Sequence, residues 1–364
     1  MNIPVNDLHR VNLPFQTELE NKALEVIRSG WFVLGKEVEL FEQEFATKLG
    51  VPYCIGIDNG LNAIKLGCQA LGIGVGDEVI MQANTYIATV LGVTWNGATP
   101  IFVEPNEFYN IDVNLLKLKI TSKTKAILVT HLYGQTSEMN SIVDLCKENS
   151  LFLLEDCAQS HFSEFDDRYS GTFGDLGFFS FYPTKNLGAL GDAGCVVTKN
   201  EHTAMMLKML RNYGSKVRYE NLVAGHNARL DELQAAFLRI KLSHMDAINH
   251  ERKAIAERYN AEITNPRILK PRVTAKATHV WHLYVVQVEE QERFRTYLKA
   301  NGIQSDVHYP TPPHLSEAYK HLGYHVGDFP IPKDLSIQIV SIQIFNELQE
   351  EEIDYVIKVM NEYE

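Results

Sequence analysis

Between residues 51 and 197 the chain alternates short apolar runs with helical patterns, and this alternation constrains the fold more than any other feature. Residues 53–57 (YCIGI), 78–81 (EVIM), 99–103 (TPIFV), 126–131 (AILVTH), 151–155 (LFLLE), 177–181 (GFFSF) and 194–198 (GCVVT) read as strands. Helical patterns separate several of them, at 61–71, 86–95 and 138–149. Apolar strands alternating with helices predict a mostly parallel sheet covered on both faces. The rhythm changes further on. Residues 230–258 form one long helical pattern that can link two domains; 280–288 and 305–309 read as strands, and 291–301 and 347–362 as helices. The expected architecture is α/β, with a large domain over 1–244 that includes an N-terminal extension, and a smaller α+β domain over 245–364.

Charge and cysteine usage narrow the function classes. Lys and Arg number 34 against 46 Asp and Glu, a net charge of −12, which argues against nonspecific nucleic-acid binding. Cys54, Cys68, Cys146, Cys157 and Cys195 are odd in number and form no C-x-x-C pair, so neither a zinc cage nor a disulfide framework is expected. They read as small buried apolar residues in a reducing compartment. No run approaches the ~18 apolar residues of a membrane helix. The N-terminus lacks a basic patch followed by an apolar run. A soluble, cytoplasmic protein without membrane partners is expected.

The strongest chemical signal is 179–197, FSFYPTKNLGALGDAGCVV, where an aromatic strand ends in a turn holding one lysine, Lys185. Burial between core strands favours the neutral amine, the form that attacks a carbonyl. A solvated turn lysine is the competing reading. In 151–161, LFLLEDCAQSH, a buried strand ends in Glu155 and Asp156, with Gln159 three residues past Asp156. Carboxyl ends of parallel strands are where open α/β sheets bind ligands. Asp156 precedes Lys185 by 29 positions, enough for a crossover and one more strand. Pyridoxal phosphate requires an acid on its pyridine nitrogen, and Asp156 suits that task; alone, a helix N-cap is its commoner use. Metal ligation by Glu155, Asp156 and His161 finds no further ligand cluster, so no metal is expected.

Two further segments fit a phosphate and a flat ring. In 56–63, GIDNGLNA, backbone amides of Asn59, Gly60 and Leu61 at a helix start form an anion site. Ser180 is a second phosphate contact, or else a strand serine bonded to backbone. Tyr86, in 84–89 (NTYIAT), can stack on a cofactor or pack as a core tyrosine. Gly72, Gly74 and Gly76 imitate a dinucleotide-binding loop, but they follow a helix and precede a strand, the reverse of what that loop needs. A nicotinamide-dependent dehydrogenase is therefore disfavoured, and the glycines read as a helix-ending turn.

With these residues in place the sequence resembles the DegT/DnrJ/EryC1/StrS sugar aminotransferases, pyridoxal-phosphate enzymes of the aspartate-aminotransferase fold (fold type I). The resemblance spans nearly the whole chain and rests on NTYIAT, HLYGQ, EDCAQSH, FSFYPTKNLGALGDAG, RNYGS and HNARLDELQAAFL. It implies Lys185 as the Schiff-base lysine, Asp156 on the ring nitrogen, Gln159 near the cofactor hydroxyl and Tyr86 against the ring. Gly60, Leu61 and Ser180 would hold the phosphate, and Asn227 would reach the phosphate of a neighbouring subunit, placing the site at a homodimer interface. L-glutamate is the implied amino donor.

The NGL turn at 59–61 and the segment 307–315 (VHYPTPPHL) resemble enzymes that aminate carbon 3 of nucleotide-linked 3-keto-6-deoxyhexoses, with dTDP the expected carrier, for amino-sugar glycans. Carbon-4 amination of a UDP-, GDP- or dTDP-linked 4-keto-6-deoxyhexose is the alternative. By the same resemblance Tyr182, His161, His308 and Tyr309 border the sugar, and Lys216 and Arg218 meet the diphosphate. Two departures stand out: Leu61 brings no hydroxyl to the phosphate, and 341–346 (SIQIFN) replaces a Leu-Pro turn. Of the other histidines in these segments, His131, His226, His282 and His314 read as structural. The lysine itself sets the chain apart from sugar dehydratases, whose counterpart is histidine, and from noncatalytic modules of the same fold.

Overall fold

A computed structural model describes residues 1–364. Seven strands make the main sheet: β1 Tyr53–Ile57, β2 Glu78–Gln82, β3 Thr99–Val103, β4 Thr124–Thr130, β5 Phe152–Asp156, β6 Leu176–Ser180 and β7 Gly194–Thr198. Their spatial order is β1-β7-β6-β5-β4-β2-β3. Strands β2 to β6 pair in parallel, while β7 is antiparallel to both β6 and β1. It follows that β1 runs with β2 to β6, and β7 alone is reversed. Six carboxyl ends therefore meet on one edge of the sheet, beside the first residue of β7. The α/β class and the mostly parallel sheet are as expected from the alternation.

Alternation along each strand assigns the two faces. Val79 and Met81, Leu154, and Val196 belong to one buried cluster; Ile80 and Leu153, or Cys195 and Val197, belong to clusters on the other side. Both faces are dry, which is why these segments read as unbroken apolar runs. The helix Gly60–Ala70 packs on the first face. The side chain of Asn59 starts it by accepting from the amide of Asn62 at 2.8 Å. It stops at Leu71, where Gly72 takes φ +69°, so the glycine run is a helix-ending turn.

The second half departs from its expected outline. The 230–258 pattern is two helices, Glu232–Leu242 and Met245–Glu262, interrupted at Ser243 and His244. Only Tyr284–Gln287 of 280–288 is a strand, antiparallel to Ile339–Ile342. The amides of Val280 and Leu283 instead donate to the carbonyls of Gly134 (2.9 Å) and Tyr133 (3.2 Å). Residues 305–309 form no strand; Asp306 alone bridges Ser341. At 280–283 a contact with the main sheet's loops takes the backbone groups that β-propensity assigns to a partner strand. Tyr284, Val286, Phe294, Val340, Ile342 and Val356 make a second core, which Ile3 from the N-terminus joins. Arg10 pairs with Glu352 of the last helix at 2.7 Å, tying the N-terminal arm to that core.

Gly67 faces Phe178 of β6, and a Cβ built on it lies 2.3 Å from the ring. Alanine gains about 1 kcal/mol of helix propensity over glycine, whereas overpacking a core costs about 1–3 kcal/mol. Gly67→Ala is therefore expected to lower the urea midpoint with an unchanged m-value. A raised midpoint would show that the helix moves away freely.

Candidate active site

Strand β6 ends at Ser180, and the chain turns through Lys185 on its way to β7. The turn closes with the amide of Lys185 donating to the carbonyl of Tyr182 at 2.8 Å. It is propped from outside. Buried Lys241 donates to the carbonyl of Gly188 at 2.7 Å, and the Asn186 amide donates to the carbonyl of Val280 at 2.8 Å. A Cβ on Gly188 would lie 2.3 Å from the carbonyl oxygen of Pro183, so only glycine closes this turn. Desolvation pushes the Lys185 ammonium down to about 8, against the pull of Asp156.

Asp156 ends β5, buried, with its carboxylate toward the same edge of the sheet. It accepts from Thr89 Oγ1 at 2.7 Å and from the amide of Ala158 at 3.1 Å. Behind Thr89, the hydroxyls of Thr85 and Thr130 continue a chain with 2.9 Å steps. Burial raises the Asp156 pKa; Thr89, Ala158 and Lys185 each draw it back. Asp156 and Lys185 feel each other's charge without forming an ion pair.

The neighbouring Glu155 points to the opposite face, as strand alternation requires. Its oxygens accept from the amides of Gly171 (2.8 Å), Phe173 (2.8 Å) and Gly174 (2.7 Å), and from His131 Nε2 at 3.1 Å. His131 Nδ1 accepts from the Ser137 amide, which places the ring proton on Nε2. Glu155, His131 and Cys157 lie close together, but four N–H groups already fill the carboxylate.

At the other end of the cleft the helix beginning at Gly60 runs up against Ser180. A Cβ on Gly60 would sit 2.6 Å from Ser180 Cβ, so the first helical amides reach the floor of the cleft only because no side chain intervenes. The Asn59 side chain is used as the cap, leaving backbone amides as the available donors. Tyr86 is half-exposed above the cleft, and its ring packs on Tyr309 with centroids 4.8 Å apart. Gln159 accepts from the Tyr133 amide at 2.6 Å and donates to the Tyr309 hydroxyl at 3.0 Å, keeping one amide hydrogen free.

The remaining expected residues divide. His308 shares a hydrogen bond with Ser341 Oγ at 2.9 Å, so the SIQIFN departure supplies its partner. Tyr182 is exposed beside the lysine turn. His161 is fully buried against Phe179 and Phe181, with both ring nitrogens unpartnered and burial pushing it down to about 3. Its ring packs on the phenylalanines while lying close enough to Lys185 to feel that charge. Lys216 and Arg218 sit on an exposed hairpin, Ser215–Val217 with Glu220–Asn221, where Arg218 covers the Tyr219 ring. Exposed Asn227 follows on the segment beside it, and none of these three side chains bonds to the cleft.

Sequence reasoning missed the hydroxyl chain, Lys241 and His282, whose Nε2 lies 3.4 Å from Lys185 Nζ. Thr85 and Thr89 did carry a signal, an i, i+4 spacing within NTYIAT. The residues present fit pyridoxal phosphate: an amide cradle that a Cβ would fill, an acid at the opposite end, and a lysine amine without a carboxylate partner between.

Asp156→Asn tests this assignment without cofactor. A raised carboxylate pKa means the folded state binds that proton more tightly than the unfolded state, so the ionised form costs stability as pH rises past the folded pKa. Asparagine removes the charge and keeps both contacts, because the threonine hydroxyls can reverse direction. The cofactor-free variant should melt higher than wild type at pH 7, with the gap closing in acid. Activity should fall on the order of 10²-fold or more. A lower melting point at pH 7 would contradict the desolvation argument.

Comparison with known proteins agrees with this geometry. The model of the DegT/DnrJ/EryC1/StrS aminotransferase family matches residues 15–361. A dTDP-3-amino-3,6-dideoxy-alpha-D-galactopyranose transaminase of Aneurinibacillus thermoaerophilus is 48% identical over 362 residues, 99% of each chain. A dTDP-3-amino-3,4,6-trideoxy-alpha-D-glucose transaminase of Streptomyces venezuelae is 39% identical, over 99% of this chain and 96% of its own. Among solved structures, S. venezuelae DesV in complex with a ketimine intermediate superimposes with a TM-score of 0.97 at 39% identity, covering 99% of this chain and 98% of that one. NtdA from Bacillus subtilis with bound cofactor PMP gives 0.91 at 29% identity, covering 99% and 84%. The chain belongs to the DegT/DnrJ/EryC1/StrS aminotransferase family and is a pyridoxal-phosphate-dependent aminotransferase.

Proposed function

We propose that the protein moves an amino group from L-glutamate to carbon 3 of a dTDP-linked 3-keto-6-deoxyhexose, in a homodimer with shared sites. The observation that carries the carbon-3 reading is the 48% identity, over 99% of both chains, to a transaminase named for a 3-amino-3,6-dideoxy sugar. When bound, pyridoxal phosphate supplies a carbonyl that carries the amino group and a ring that withdraws electrons from the α-carbon. The chain's residues do the rest. The Asp156 carboxylate holds a proton on the ring nitrogen, its charge strengthened by the dry surroundings. The Lys185 amine would take the α-proton from the donor and hold it for delivery, and would move a proton in the reverse sense for the acceptor. Amides of Gly60 and Leu61, with Ser180, take the phosphate; Gln159 and Tyr86 fix the ring.

His308, Tyr309 and Tyr182 are assigned to the sugar, and Lys216, Arg218 and Asn227 to the site of the partner subunit. The exposure of Lys216, Arg218 and Asn227 supports a place at the partner's site, as do the exposed Trp31, Phe32, Tyr213 and Leu222, an apolar set that a second copy would cover. His161 stays a candidate for the sugar side of the site, its ring close enough to Lys185 to feel that charge. We divide the chain at 244/245, with the N-terminal arm crossing to the second core.

With L-glutamate and a dTDP-linked 3-keto-6-deoxyhexose, NMR should find the new amine on carbon 3; an amine on carbon 4 of a 4-keto sugar would favour the alternative. Lys185→Ala should lose about 10²–10⁴-fold in turnover, the span of a general base. Mixing Lys185→Ala with Asn227→Asp subunits should restore turnover that neither shows alone. No restoration from subunits shown to exchange would contradict the shared site.

A further inference from the structure

Lys185 has one side chain within hydrogen-bonding range of its amine, and that side chain is not part of the main sheet. His282 Nε2 approaches Nζ to 3.4 Å from the segment that precedes Tyr284–Gln287. This segment is clamped from two sides. Arg252, fully buried and paired with no carboxylate, donates through Nη1 to the carbonyls of Trp281 (3.1 Å) and Ile344 (2.9 Å), and through Nε to Asn346 at 2.9 Å. On the other side Val280 and Leu283 bond to Gly134 and Tyr133. Gly134, at φ +112°, admits the segment so closely that a Cβ there would lie 2.9 Å from the His282 amide nitrogen. Tyr133 is in turn held by Gln159. The imidazole is thus fixed by the same loop that positions Gln159.

His282 is buried, and its Nδ1 has no partner. An unpartnered ring nitrogen in a core costs stability, a cost that phenylalanine would not carry. Burial first of all keeps the ring neutral; Lys185, Arg252, His308 and His161 are the titratable groups around it, and their positive charge would oppose another. A carboxylate in the same place would pair with the lysine and hold it as an ammonium. A neutral imidazole accepts one N–H and leaves the amine's lone pair available.

We propose that His282 is a positioning residue for Lys185: its Nε2 accepts an N–H from the lysine amine and fixes the direction of the lone pair during proton transfer. The inference rests on the assignment of Lys185 given above. It places the imidazole proton on Nδ1.

The test compares His282→Phe, which keeps the ring's bulk and removes the acceptor, with His282→Gln, which keeps an acceptor. Two quantities are read for wild type, both variants and Lys185→Ala. One is the rate at which the cofactor-free chain captures pyridoxal phosphate, followed by absorbance. The other is the slowing of the glutamate half-reaction by deuterium at the α-carbon. His282→Phe should capture cofactor about 10-fold more slowly or worse and show a larger isotope effect with little change in the KM for glutamate. His282→Gln should recover much of both. A His282→Phe protein that matches wild type in both readouts overturns the proposal. So does a His282→Gln protein as impaired as His282→Phe, which would mark a packing role. If Lys185→Ala captures cofactor as wild type does, the assignment of Lys185 itself fails, and the proposal with it.

Discussion

The site depends on an acid and an amine that are both withdrawn from water and prevented from meeting. In a low-dielectric cleft an ammonium and a carboxylate attract strongly enough to close on each other, and a closed pair has no room for a ring between them. Separate anchors prevent this. Asp156 is fixed on β5 by Thr89 and the Ala158 amide; Lys185 is fixed by a turn braced by Lys241, Asn186 and a glycine that no other residue can replace. Each group is consequently biased toward its neutral form: burial raises the carboxyl and brings the amine down to about 8. A pyridine ring protonated on nitrogen would relieve the penalty on the carboxylate, and that relief is part of what would bind it.

Parallel strand direction makes this arrangement reachable. Because β1 to β6 share one direction, Asn59, Thr130, Asp156 and Ser180 all arrive at the same edge from distant stretches of sequence. The reversed β7 closes the Lys185 turn directly onto that edge. The second core then completes the cleft from outside, through segments 280–283 and 306–309. A cluster containing Tyr109, Tyr133, Val285, Val307 and Ile339 joins the two cores behind the site.

This division also explains what was legible in the sequence. Strands buried on both faces announce themselves as apolar runs, and the seven runs of the first half correspond to β1–β7 with ends displaced by at most a residue or two. Lys185 and Asp156 were legible because each follows such a run. Segments 280–283 and 305–309 look equally strand-like, but the first bonds its backbone to loops from the other core and the second keeps only the bridge of Asp306 to Ser341, long-range choices that β-propensity does not encode. His282 was hidden for the same reason: nothing near it in sequence shows that Arg252 and Gly134 press it against a lysine 97 positions away. His161, five positions after Asp156, packs its ring on Phe179 and Phe181, a contact that the local sequence does not announce.

The central claim is that Lys185 is the residue that engages the cofactor. Borohydride reduction of the cofactor-loaded protein, followed by peptide mass mapping, tests it most directly. The account predicts a single pyridoxyl adduct, on Lys185, and loss of that selectivity when the chain is unfolded before the cofactor is added. An adduct on another lysine, or an even spread over surface lysines, would contradict it.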